Sequence, residues 1–166
     1  MKILYSDNSI VVCVKPAGLL SAKDASGNAN MVDALKAELG VPEVFPIHRL
    51  DREVSGVMVF ALTGAAAAKL GTAAADKDKF EKIYYTVVLG CPIDAVGTFE
   101  DLLFKDTNRS KSFVVDKMRK GVKTAKLEYE VLQSFGEHTL VKVRLHTGRT
   151  HQIRVHCKSI HHPIVG

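Results

Sequence analysis

The segment Phe45-Pro46-Ile47-His48-Arg49-Leu50-Asp51-Arg52-Glu53-Val54-Ser55-Gly56 puts imidazole, guanidinium and carboxylate groups into one short loop ahead of an apolar run. A carboxylate held near Arg stays ionised and acts as nucleophile or general base without metal or cofactor. Loops on rigid scaffolds are favoured places for such chemistry, and Asp51 fits the role. Composition alone equally allows a structural turn in which Asp51 pairs with Arg49 or Arg52, the commoner fate of such a cluster.

A second cluster runs from His146 through Thr147-Gly148-Arg149-Thr150-His151-Gln152-Ile153-Arg154-Val155 to His156. Gly148 permits an unusual backbone turn, and donors at the following helix start, reinforced by Arg149, suit a phosphate. Residues 151, 154 and 158 share a helical face, which would let Arg154 meet a carboxylate from another loop with His151 beside it. A surface helix with solvated basic residues is the bland alternative. A metal site built on His151, His156, His161 and His162 is disfavoured. The five-residue step from His151 to His156 turns about 500° on a helix, away from one shared metal.

Two further segments carry weaker signals. Lys82-Ile83-Tyr84-Tyr85-Thr86-Val87-Val88-Leu89 reads as a strand whose adjacent tyrosines point to opposite sides, which allows Tyr84 to face a site, although taken alone the segment favours two tyrosines that simply pack on the strand. Between Lys105 and Lys126 stand Lys105, Arg109, Lys111, Lys117, Arg119, Lys120, Lys123 and Lys126 against only Asp106 and Asp116. That segment suits either phosphate contact or a solvated hairpin.

The elements that must position these groups follow from period and punctuation. Ile3 to Tyr5 and Ser9 to Val14 read as strands around a turn at Ser6-Asp7-Asn8, ending at the breaker Lys15-Pro16-Ala17-Gly18. Asn30 caps a helix with Met31, Ala34, Leu35 and Leu39 at apolar spacing, stopped by Gly40 and Pro42. Gly56 to Leu62 is a buried strand, and the Ala-rich stretch Thr63 to Lys77 a helix. Strands are predicted over Ile83 to Leu89, Thr98 to Phe104, Ser112 to Val115, Thr124 to Leu132 and Thr139 to Leu145. Thr150 is the expected cap of a last helix with Ile153, Cys157 and Ile160 on one face. Mixed strands with few helices and no regular βαβ alternation predict an α+β fold around a largely antiparallel sheet.

Composition sets the frame. The chain has 166 residues, 46% hydrophobic and 25% charged, with a formal charge of +5 and a pI near 9.1. This is one domain's worth of ordinary globular sequence whose charge favours an anionic partner. Cys13, Cys91 and Cys157 are odd in number and far apart, suggesting neither a disulfide framework nor a zinc knuckle. The longest uncharged run, Val54 to Ala68, is too short to span a bilayer, and the N-terminus lacks a signal-peptide pattern. The expected compartment is the cytoplasm.

Taken together and in this order, the segments resemble the RluA family of pseudouridine synthases. Its His-Arg-Leu-Asp loop stands as His48-Arg49-Leu50-Asp51, its Lys-x-Tyr strand as Lys82-Ile83-Tyr84, and its Gly-Arg-Thr-His-Gln-Ile-Arg-x-His helix start as Gly148 to His156. Lys15-Pro16-Ala17-Gly18 resembles the family's beginning and His162 to Gly166 a motif near its end. Val54 stands where the family usually has Thr.

The resemblance implies a single α+β catalytic domain over residues 1–166. It also implies that Asp51 attacks the target nucleotide, Tyr84 stacks on the base and Arg154 pairs with Asp51. His48, Arg49, Arg149 and His151 then shape the site or hold RNA. The implied activity is isomerisation of uridine to pseudouridine in structured rRNA or tRNA, with the base flipped out of its helix and no metal or cofactor. Family members continue past the point matching Gly166 and many carry a small N-terminal RNA-binding domain. The resemblance therefore implies a chain lacking its C-terminal part, with RNA choice left to the catalytic domain. A catalytically inactive RNA-binding or folding module is the alternative.

Overall fold

A computed structural model describes residues 1–76, 79–92, 94–106 and 111–166. The chain divides into two compact units, Met1–Phe80 and Glu81–Gly166.

In the first unit β1 (Lys2–Ser6), β2 (Ile10–Lys15), β3 (Phe45–Pro46) and β4 (Gly56–Ala61) form an antiparallel sheet in the order β1-β2-β4-β3. The β1–β2 turn closes because Asp7 Oδ1 accepts from the backbone N–H groups of Ser9 (2.7 Å) and Ile10 (2.8 Å). These donors hold the Asp7 carboxyl below its ordinary pKa. β-Branched and sulfur side chains at alternate positions bury Val11 and Cys13 on β2 against Met58 and Phe60 on β4.

Helix α1 (Met31–Leu39) closes that core with Met31 and Leu35. The Asn30 side chain accepts from the Asp33 N–H at 3.0 Å, a cap worth about 1 kcal/mol, and Gly40 ends the helix in the left-handed region. Ala34, expected on the apolar face, is exposed, and Val32 packs against the core instead. Helix α2 (Gly64–Ala75) starts at Thr63, whose Oγ1 accepts from Ala66 N–H. It buries no residue, so alanine's low helical entropy cost carries it more than packing does. Lys77, the expected last residue of α2, lies outside the described residues, as does Arg109 of the basic segment.

The second unit is a five-stranded antiparallel sheet, β5-β9-β8-β6-β7, from β5 (Ile83–Leu89), β6 (Val96–Asp106), β7 (Lys111–Val115), β8 (Val122–Phe135) and β9 (His138–Leu145). β6 and β8 outrun their sequence-based limits. β8 reaches Phe135 through exposed polar residues, with a register shift between Val131 and Gln133, and pairs Phe135 with His138 across Gly136 at φ +61°. Solvated strand ends lack the alternation that marks a half-buried strand. Val88, Leu127, Val141 and Val143 pack under α3 (Gln152–Ser159), whose Ile153 and Cys157 face them. Burial pushes the Cys157 thiol up to about 11.

The expected cap of α3 is corrected. His151, not Thr150, is the N-cap, at φ +55° and without a side-chain capping bond, while Gly148 avoids positive φ. The polar groups of the turn are met by a residue inside the helix, described below. No helix among the described residues is long and apolar enough to cross a membrane.

His156 is fully buried on α3, its ring 5.3 Å from that of Phe99 and its Nε2 3.5 Å from Asp101 Oδ2 on β6. Neither ring nitrogen has a hydrogen-bond partner among the described residues. Burial lowers its pKa from 6.5, with Asp101 opposing the shift. As pH falls the unfolded chain takes the proton first, so this contribution is complete above pH 6.5 and lost as pH drops through the folded value. Urea midpoints measured from about pH 8 down to about pH 5 are expected to fall more steeply in the wild type than in His156→Phe.

Candidate active site

Asp51 sits on the loop joining β3 to β4, exposed, in a turn closed by Val54 N–H donating to the Asp51 carbonyl at 3.1 Å. What holds this loop lies beneath it. Lys15, the last residue of β2, is completely buried, and its ammonium donates to the carbonyls of Pro16 (2.9 Å), Leu19 (2.6 Å) and Arg52 (2.9 Å). An ammonium has three donors and no acceptor, so this group is saturated. Burial pulls the Lys15 pKa down, while the carboxylates of Glu53 and Asp51 favour its charged form.

Other bonds tie the same two segments. Ser21 Oγ donates to the Leu50 carbonyl (2.7 Å) and accepts from the Leu50 N–H (2.9 Å). Gly18, at φ +83°, donates its N–H to the Arg52 carbonyl (2.9 Å) and accepts from Arg52 Nε (3.0 Å). Arg52 therefore serves the Lys15–Gly18 breaker and approaches Glu53 at 3.8 Å. His48 Nε2 accepts from Val59 N–H at 3.4 Å, placing the ring proton on Nδ1, and the ring lies 5.4 Å from Phe80. Arg49 is exposed. His48, Arg49 and Asp51 thus share one braced loop of the first unit.

Tyr84, Arg149, His151 and Arg154 belong to the second unit. Tyr84 is half-buried against the Val88–Val143 cluster, while Tyr85 on the opposite sheet face is 66% exposed, which separates the two candidates. Arg149 is half-buried with Nε donating to the Thr124 carbonyl at 2.9 Å. Exposed Arg154 donates from Nη1 to the Gly166 carbonyl at 2.8 Å. The histidines turn to separate tasks: His151 starts α3, His156 lies in the core, and His162 Nδ1 is 2.8 Å from the Leu89 carbonyl oxygen.

Lys15, Ser21 and Gln152 escaped sequence reasoning. The signal for Lys15 was present, because Val11, Cys13 and Lys15 share one strand face by period two and the first two are core residues. Replacing Lys15 with Met is expected to strand the carbonyls of Pro16 and Leu19, while that of Arg52 keeps the Gly18 N–H, and to lower stability by on the order of 2 kcal/mol. Urea unfolding reads this, and Lys15→Arg is expected to fail as well, because a planar guanidinium does not fit the three converging acceptors.

A family model described as RNA pseudouridylate synthase matches residues 9–159. The chain is 38% identical to ribosomal large subunit pseudouridine synthase D of Pseudomonas aeruginosa, over 100% of this chain and 52% of the relative. Identity to the protein of the same name from Borreliella burgdorferi is 34%, over 99% of this chain and 52% of the relative. The chain spans about half the length of these curated relatives. Among solved structures, human RNA pseudouridylate synthase domain containing 4 superposes with a TM-score of 0.81 at 25% identity, covering 99% of this chain and 67% of that one. With the motif loop, the Lys-x-Tyr strand and the α3 start all in place, the chain belongs to the RluA-type family of RNA pseudouridylate synthases.

Proposed function

We propose that this chain isomerises uridine to pseudouridine in structured RNA, with Asp51 as the catalytic carboxylate and the two units acting as one catalytic domain. One observation carries the reading: an exposed carboxylate on a loop whose backbone is clamped from below by a buried ammonium. Such a loop presents a reactive group without losing its position when substrate binds. In the reaction the bond from uracil N1 to ribose C1′ breaks and a bond from C5 to C1′ forms. The C5 proton leaves and N1 ends protonated, so nothing is consumed.

Asp51 opens the sequence by engaging the flipped nucleotide, Tyr84 stacks on the base, and Arg154 pairs with Asp51. His48, Arg49, Arg149 and His151 shape the site or hold RNA. No metal or nucleotide cofactor enters this scheme. Ribosomal RNA is the first substrate to try, because the relatives named above are ribosomal large subunit enzymes; transfer RNA is the second. The cytoplasm is the proposed compartment.

The exposed Lys105, Lys111, Lys117, Arg119, Lys120 and Lys123 favour a second reading, a non-catalytic RNA-binding or folding module. Total RNA from a strain lacking the enzyme, treated with wild type or Asp51→Ala and mapped for pseudouridine position by position, separates the two. The first reading expects product at defined sites with wild type and a rate lower by on the order of 10³-fold or more with the variant. RNA binding by both proteins with product from neither would leave the module.

A further inference from the structure

The buried amide of Gln152 has no part in the scheme above, and both its oxygen and its nitrogen are hydrogen-bonded. Gln152 is 2% exposed. Its Oε1 accepts from the Arg149 backbone N–H (3.0 Å) and from the Thr147 hydroxyl (2.8 Å), and its Nε2 donates to the Lys126 carbonyl on β8 (3.1 Å). Thr147 Oγ1 in turn accepts from the Lys126 N–H at 2.8 Å, and the N–H groups of His146 and Thr147 reach the same Lys126 carbonyl. One side chain thus pins the 146–150 turn to β8.

The turn's cation is fixed at both ends as a result. Gln152 holds the Arg149 backbone, and Arg149 Nε is held by the Thr124 carbonyl. Among the described residues Nε is the one donor of the Arg149 guanidinium that meets a protein acceptor, which leaves the two Nη groups on a half-buried fork anchored at Nε. A guanidinium in this condition loses little rotamer entropy on meeting a planar pair of anionic oxygens. Exposed Lys123 stands next to Thr124 in β8 and adds charge of the same sign.

We propose that Arg149 is a preorganised contact for an RNA phosphate and that Gln152 is the positioning residue that keeps it so. This rests on the reading of the chain as an RNA-acting protein and adds to it the group that sets the geometry of one phosphate contact.

The test measures binding of a labelled RNA hairpin with a uridine in its loop, across a range of salt, by wild type, Gln152→Met, Arg149→Ala and the double variant. Loss of one phosphate contact lowers the slope of log affinity against log salt by about 0.7 to 0.9. Gln152→Met is expected to show that loss together with roughly tenfold weaker binding. The double variant is expected to bind no worse than Arg149→Ala alone. If Gln152→Met does not fold, Thr147→Val, which removes the hydroxyl bonded to Oε1, takes its place with a smaller loss in the same slope. A lowered melting temperature with an unchanged slope, or additive effects in the double variant, would overturn the proposal. Wild type that fails to bind the hairpin at any salt concentration would remove the RNA reading itself.

Discussion

A fully buried ammonium is expensive unless each of its protons meets an acceptor, and Lys15 meets three carbonyls from three points along the chain. Two of those carbonyls belong to the segment that follows β2, and the third belongs to Arg52, in the loop that carries Asp51. Moving the loop would strand the charge, so the position of Asp51 is coupled to the strand that also supplies Val11 and Cys13 to the core. Ser21 and Gly18 add neutral bonds between the same two segments, which makes the coupling redundant. Packing and site geometry in the first unit therefore share one cause.

The second unit solves a similar problem without a buried charge. A turn that leaves a sheet and enters a helix exposes several backbone donors and acceptors, and Gln152 satisfies three polar groups from inside the first turn of α3. The usual capping side chain is then unnecessary, and His151 occupies the left-handed N-cap without a side-chain capping bond. His156, one turn further along, faces inward against Phe99 and Asp101 with its ring nitrogens unbonded among the described residues. The helix start is thus secured by a polar network, while its middle holds a polar group whose neutral form burial favours.

A division of labour runs through both units. Groups suited to meet a substrate, Asp51, Arg49 and Arg154, are exposed, whereas the groups that hold their segments, Lys15, Ser21 and Gln152, are buried. Buried polar groups are acceptable where their polar atoms are hydrogen-bonded, as are Lys15 Nζ and both the oxygen and the nitrogen of the Gln152 amide. Family membership accounts for the types and order of these residues, and the bonding described here accounts for how each is kept in place.

Much of the fold can be read without coordinates. Apolar and β-branched runs of strand length locate β2, β4 and β5, Asn30 marks the start of α1 through its short oxygen-bearing side chain, and the Ala-rich composition marks α2. The motifs that carry His48, Asp51, Tyr84, Arg149 and Arg154 likewise point from sequence to the family, through the resemblance of their residue types and order. The length of β8 escapes because its exposed end has no core to impose alternation. The roles of Lys15 and Gln152 escape for another reason. A lysine and a glutamine look solvated in sequence, and only a fold that brings Arg52 within 2.9 Å of the one and Lys126 within 3.1 Å of the other turns them into hubs. Local propensity and pattern are properties of neighbouring residues, whereas the satisfaction of a buried polar group depends on acceptors far away in the chain.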